Sequence, residues 1–246
     1  MGKADLHIHT SASDGMFSAA ELLSHVEDRT DLDVIAVTEH DDLRSSLGAR
    51  ELWARGNYRF EVVTGVEVTT IEGHLLALFI EEPVPSLRPL LDTLEAVKRQ
   101  GGVCLAPHPF TWLARGLSER DIRRARDYGL DGIEVMNTTP AGRRGQGRGR
   151  KVTRELSLAE AGGSDAHYLS AIGTGHTEFP GTTSAELRSA ISERATVGVT
   201  GVHPSVAQLG VASVVRQTYR GIMSTPRAVG WGPTAWSFVR RIVTVR

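Results

Sequence analysis

The sequence has a single cysteine, Cys104, among its 246 residues. An intramolecular disulfide framework is therefore excluded, and a reducing, cytoplasmic setting is the expectation. No apolar run reaches the length that spans a bilayer, so no transmembrane segment is predicted. A signal-peptide core is also missing: the first residues carry charges, and a candidate functional residue, His7, already stands among them. No internal repeat is visible. Acids are absent from one region only. Residues 205–246 hold Arg216, Arg220, Arg227, Arg240, Arg241 and Arg246 with no Asp or Glu, whereas residues 1–204 carry 22 basic and 29 acidic residues. The net charge of −1 hides this asymmetry, which predicts a tail with a partner of its own.

What is present suffices for one large α/β domain, since 40% of the residues are hydrophobic. Short β-branched runs predict strands over 3–9, 33–38, 61–68, 74–80, 102–106, 131–136 and 158–163. Helical patterns lie over 18–29, 42–55, 87–100, 118–128, 144–157 and 184–194. Ser18–Glu21 and Thr183–Glu186 read as capping boxes. Strand–helix alternation predicts a mainly parallel sheet with helices outside, except that 69–73 is too short for a helix. Seven strands suggest a distorted, TIM-like (β/α) barrel over 1–204, with 205–246 as a short basic, partly apolar helical extension.

Polar residues cluster where these strands end. His7 and His9 close the first, Asp14 follows, and His40 closes the second. Glu67 ends the third, His74 opens the fourth, His108 follows the fifth, Glu134 and Asn137 end the sixth, and Asp165 and His167 follow the seventh. In parallel barrels this end of the strands carries the active site. Strand parity puts Asp5, His7 and His9 on one face and Leu6 and Ile8 on the other, packed on outer helices. Neutral imidazoles beside carboxylates suit zinc, iron or manganese. A lone His-x-His is more often an ordinary pair, but several strands ending this way together favour a metal site.

The elements D-L-H-I-H-T-x-x-S-D-G, T-E-H-D, G-V-E, G-H-L-L-A-L, A-P-H-P, I-E-V-M-N and G-S-D-A-H occur in that order. Together they resemble the PHP (polymerase and histidinol phosphatase) domain, over about residues 4–180. The resemblance implies a distorted seven-stranded barrel and a metal-dependent phosphoesterase holding two or three divalent ions. By motif, one ion would be held by His7, His9, Glu67 and Asp165. Glu67 would bridge to a second ion, held also by His74 and His108, and a third would use Asp14, His40 and His167. Glu39 stands where the family commonly has aspartate.

The implied reaction is hydrolysis of a phosphomonoester or small phosphodiester by a hydroxide held between the ions. Asp165 orients this nucleophile, and His176, Asp41 or a water are open choices for the acid. Three divalent ions, three carboxylates and one hydroxide leave about +2, which matches a phosphate dianion. Forty residues separate Glu67 from His108, too few for a capping domain, so an open mouth able to take larger phosphoesters is expected. Of the basic run after strand six, Arg143 and Arg144 are the candidates for phosphate contact. A phosphorylated small molecule is the expected substrate. Nuclease-like action on nucleic-acid ends, or a metal-stabilised module contacting a membrane or partner through the tail, are the alternatives. The tail's apolar spacing at Val206, Leu209, Ala212, Val215 and Tyr219 predicts a helix packed across the bottom of the barrel.

Overall fold

The computed structural model describes residues 1–112 and 114–236. Its strands are β1 (Gly2–Ile8), β2 (Val34–Val37), β3 (Glu61–Thr69), β4 (His74–Leu78), β5 (Val103–Ala106), β6 (Gly132–Asn137), β7 (Ala159–Gly163), β8 (Gly175–Phe179) and β9 (Val197–Thr200). Its α-helices are α1 (Ala19–Arg29), α2 (Leu43–Ala54), α3 (Leu90–Arg99), α4 (Glu119–Arg126), α5 (Gln146–Leu156), α6 (Ser184–Glu193), α7 (Val206–Leu209) and α8 (Val211–Val229). Helices α1 and α6 start at the two capping boxes. In each, the Ser18 or Thr183 hydroxyl accepts from the N–H of the glutamate three residues on, whose carboxylate accepts in return from the cap's N–H.

The sheet has nine strands rather than seven, in the order β7-β6-β5-β4-β3-β2-β1-β8-β9. Strands β8 and β9 escape a sequence reading because each is short, and Gly198 interrupts the second. They run antiparallel, β8 on β1 and β9 on β8. The sheet is only half parallel: β4 pairs antiparallel with both β3 and β5. That reversal has a use, because it brings His74, the first residue of β4, to the same end as the last residues of β3. An Ile8–Ala166 bridge, with His9 N donating to Ala166 O at 2.9 Å, joins β1 to the segment after β7 and nearly closes the barrel.

Strict alternation fails in β1. The pairing with β2 slips between Asp5 and Ile8, so three steps on β1 match two on β2. A bulge re-aims side chains in this way. Leu6 joins Ala36, Leu76 and Leu105 in the apolar floor of the barrel, whereas Ile8 packs with Leu22 and Leu23 of α1. Asp5 leaves the histidine face and accepts from Ser164 N at 3.0 Å and Gly173 N at 2.8 Å. Burial pushes its carboxyl up to about 6, against the pull of those donors.

The tail departs most from expectation. Gly210, at φ 81°, separates α7 from α8, and α8 lies over the barrel mouth instead of the bottom. Gln217 Nε2 donates to Asp14 Oδ2 at 3.2 Å, and Arg220 Nη2 donates to Ser11 O at 2.6 Å and Ser13 O at 3.1 Å. Polar groups therefore face the rim, while Val211, Val215, Tyr219 and Ile222 are exposed. Phe238, Arg240, Arg241 and Arg246 lie outside the described residues. No helix among the described residues is long and apolar enough to cross a membrane.

Candidate metal centre

The nine residues that the resemblance assigns to the ions converge at one rim. Glu67, fully buried at the end of β3, is the hub. Its Oε1 lies 2.8 Å from His74 Nδ1 and 2.9 Å from His108 Nε2. Its Oε2 lies 2.9 Å from His40 Nδ1 and 3.5 Å from Nε2 of both His7 and His9. Asp165 Oδ1 stands 3.4 Å from His9 Nε2 and 3.6 Å from His7 Nε2. Asp14 Oδ2 stands 3.0 Å from His167 Nε2 and 3.7 Å from His40 Nε2. His176 does not join them: its Nδ1 donates to Gly173 O on β8's approach.

Buried supports hold the rings in place, and the sequence reading placed the chief one, Glu134, at the end of the sixth strand without giving it this role. Glu134 accepts from His7 Nδ1 at 3.0 Å, His108 N at 2.7 Å and Asn137 Nδ2 at 2.7 Å. His7 Nε2 is thereby left to face the cage. Its signal was present in I-E-V-M-N, where a lone carboxylate interrupts an apolar strand. Gly163 is required beside this pair, because a Cβ there would come within 2.2 Å of Glu134 Oε1. Glu39, the glutamate in the aspartate position, is buried and accepts from Thr10 N at 2.8 Å and Ser13 N at 3.2 Å, besides both hydroxyls. It thereby braces the loop that carries Asp14. Asp165 and His108 hold left-handed φ angles of 52° and 28°, strain of the kind that gathers at functional sites.

A family profile described as PHP-associated matches residues 145–196. An uncharacterized protein of Methanocaldococcus jannaschii is 34% identical over 145 residues, which is 55% of this chain and 81% of that protein. The chain belongs to the PHP family. The fold agrees. A two-domain protein from Bacteroides vulgatus, described as containing a PHP-like metal-dependent phosphoesterase, superposes with a TM-score of 0.68 at 18% identity, over 89% of this chain and 69% of that one. A 5'-3' exoribonuclease of Salmonella typhimurium is 34% identical over 91 residues, 35% of this chain and 31% of that protein.

The PHP centre has the electrostatics of a cation site. Burial opposes ionisation of Glu67, but His74, His40 and His7 outweigh it and hold the carboxyl well below the usual range. His167 and His40 do the same for Asp14, and His7 and His9 for Asp165, in each case against burial. Burial, helped by His40 and His167, takes His9 down to about 4. Burial also takes His74 down to about 4, despite Glu67. His9 and His74 thus keep their lone pairs free. Against burial, the surrounding carboxylates hold His7 and His40 well above the ordinary imidazole range and His167 up to about 9, so positive charge already sits among the carboxylates. Among the described residues, His7 Nε2, both nitrogens of His9, His74 Nε2 and His108 Nδ1 are buried without a hydrogen-bond partner. Orphaned donors and acceptors in this number are costly unless something else satisfies them. The donors fall into four compact sets that could hold an ion: His9-Asp14-His40-His167, His7-His9-Asp165, His7-Glu67-His108 and His40-Glu67-His74. They cut across the three-ion partition implied by motif, chiefly at His9 and His40.

The cage floors a cavity of about 850 Å³ with Trp112, Ala114 and Arg115 in its wall and α8 as its roof. The mouth expected to be open from the short Glu67–His108 spacing is instead partly roofed by the chain's own tail. Arg143 and Arg144 do not line this cavity. Both are exposed, and Arg143 Nη2 reaches Gly201 O at 3.5 Å. The neighbouring basic residues are engaged elsewhere: Arg148 with Glu119, Arg150 with Gly198 O, and Lys151 with Glu155.

Proposed function

We propose that this chain is a metal-dependent phosphoesterase that hydrolyses a phosphomonoester or small phosphodiester. We further propose that His7, His9, Asp14, His40, Glu67, His74, His108, Asp165 and His167 hold two or three divalent ions. The observation that carries this reading is the set of orphaned ring nitrogens around Glu67. Zinc, manganese and iron all suit such mixed imidazole–carboxylate donors. Divalent ions bound there supply Lewis acidity and lower the pKa of water toward 7.

The chain's own groups orient the reaction. Glu134 fixes His7 through Nδ1, and Asn137 Nδ2 spans Glu134 Oε2 and Asp165 Oδ2, the latter at 3.3 Å. Asp165 is thereby aimed into the cavity to orient the attacking water. Residues 1–204 act as the catalytic barrel and 205–246 as an extension that limits what enters. A cytoplasmic setting fits the single buried Cys104.

Exonucleolytic attack on nucleic-acid ends is the second reading, favoured by similarity to the Salmonella exoribonuclease. The roof of α8 favours a small substrate over a polymer. Purified protein grown with Mn²⁺, Zn²⁺ or Fe²⁺ is assayed on a chromogenic phosphomonoester, its diester and an oligonucleotide, with elemental analysis and Asp165→Ala as control. Chelator-sensitive hydrolysis of a small ester is expected. Metal-free protein, or activity indifferent to chelator, overturns the reading.

A further inference from the structure

We propose that the Arg115 guanidinium grips a phosphoryl oxygen of the substrate beside the metal cage. This rests on the phosphoesterase reading above. Arg115 lines the same cavity as Glu67, His74 and His108. Its Nε and Nη2 are buried and have no hydrogen-bond partner. Guanidinium N–H groups withdrawn from water and left without a partner among the described residues are costly, and an anion arriving in the cavity would satisfy them.

Neither nearby carboxylate hydrogen-bonds Arg115 Nε or Nη2. The Asp41 oxygens are taken by Thr69 N at 2.7 Å, Thr69 Oγ1 at 2.8 Å and Ser86 Oγ at 2.6 Å. Glu67 is turned into the histidines. Burial lowers the Arg115 pKa from its ordinary value, with Asp41 and Glu67 opposing weakly.

The backbone holds the residue at the rim. Arg115 O accepts from His74 N at 2.8 Å, and Arg115 N donates to Trp112 O at 3.1 Å. Gly73 is needed for this approach, since a Cβ there would lie 2.5 Å from Arg115 O. Arg115 itself sits at φ 54°, a left-handed conformation that a long side chain adopts only when its surroundings impose it. The cavity wall beside Arg115 includes the apolar Ala114, and a guanidinium in such a wall suits a charge-assisted, bidentate contact. A planar fork with two free N–H groups fits a tetrahedral phosphoryl group better than a point charge does.

The test uses metal-loaded full chain, with inorganic phosphate as the ligand in thermal-shift titration and a chromogenic phosphomonoester in kinetics. Phosphate stabilises the wild type. Arg115→Gln is expected to weaken phosphate binding and raise KM by about tenfold to a hundredfold at unchanged metal content. Arg115→Lys, which keeps the charge and the stem, recovers part of the loss and carries the measurement where Arg115→Gln does not fold. Phosphate affinity within about twofold of wild type in the variants overturns the proposal, as does a wild type that binds no phosphate. Hydrolysis that persists with unchanged KM in both variants defeats the anchor and leaves the phosphoesterase standing. Arg115-dependent phosphate binding without hydrolysis of any ester does the reverse.

Discussion

The floor and the mouth of this barrel are built on the same strands, yet they solve burial in opposite ways. At the floor, Leu6, Val34, Val63, Leu76 and Leu105 pack with Leu187 and Ile191 of α6 in one apolar cluster. A few residues further along, the strand ends enclose His7, His9, His40, Glu67 and Asp165, where His7 Nε2 and both nitrogens of His9 make no hydrogen bond among the described residues. The floor is satisfied by apolar packing, while the mouth gathers the donor sets that could hold cations. The same interior therefore stores folding energy at one end and binding capacity at the other.

Substitutions separate the two ends. Asp165→Ala at the mouth is expected to lower kcat/KM about a thousandfold, the scale of removing an electrostatic group from a preorganised site. Its denaturation midpoint should move little. Leu105→Ala at the floor should do the converse, costing about 2–5 kcal/mol in urea unfolding while metal content per folded molecule holds. A large stability loss from Asp165→Ala, or a metal loss from Leu105→Ala, would erase the distinction.

Metal removal sharpens it. Chelation should lower the melting temperature, and readdition at about a hundred times Kd should restore about 2.7 kcal/mol. Glu134→Gln, which touches only the supports of His7 and His108, should weaken metal affinity about tenfold to a hundredfold, read by competition with a chromogenic chelator. The smallest effect is expected at the roof. Gln217→Ala removes one hydrogen bond to Asp14, so stability should change by about 1 kcal/mol or less. Kinetics on a small ester beside an oligonucleotide then tell whether the roof sets substrate size, with relative gain on the oligonucleotide as the expected outcome.

Much of this arrangement is visible in one dimension. Apolar β-branched runs that each end in His, Asp or Glu announce both the strands and the face on which they finish, and Ser18 and Thr183 announce the helix starts. Glu134 was visible as an anomaly but not as a support, because its partner His7 is 127 positions away. Strands β8 and β9 carry too little periodicity to stand out, and Arg115 sits in a loop where the sequence shows only another cation.

Local chemistry, then, determined where elements begin, where they stop and which residue types crowd their ends, since caps and periodicity act over a few residues. Tertiary structure alone decided the rest. The bulge that takes Asp5 from the histidines to the backbone of Ser164 and Gly173 exists only in the pairing of β1 with β2. The seat of α8 over the mouth follows from Arg220 and Gln217 reaching groups some two hundred residues away, and α8's apolar stripe faces solvent. Contacts across such separations depend on the whole barrel being in place, because only the closed sheet brings the carbonyls of Ser11 and Ser13 to the rim.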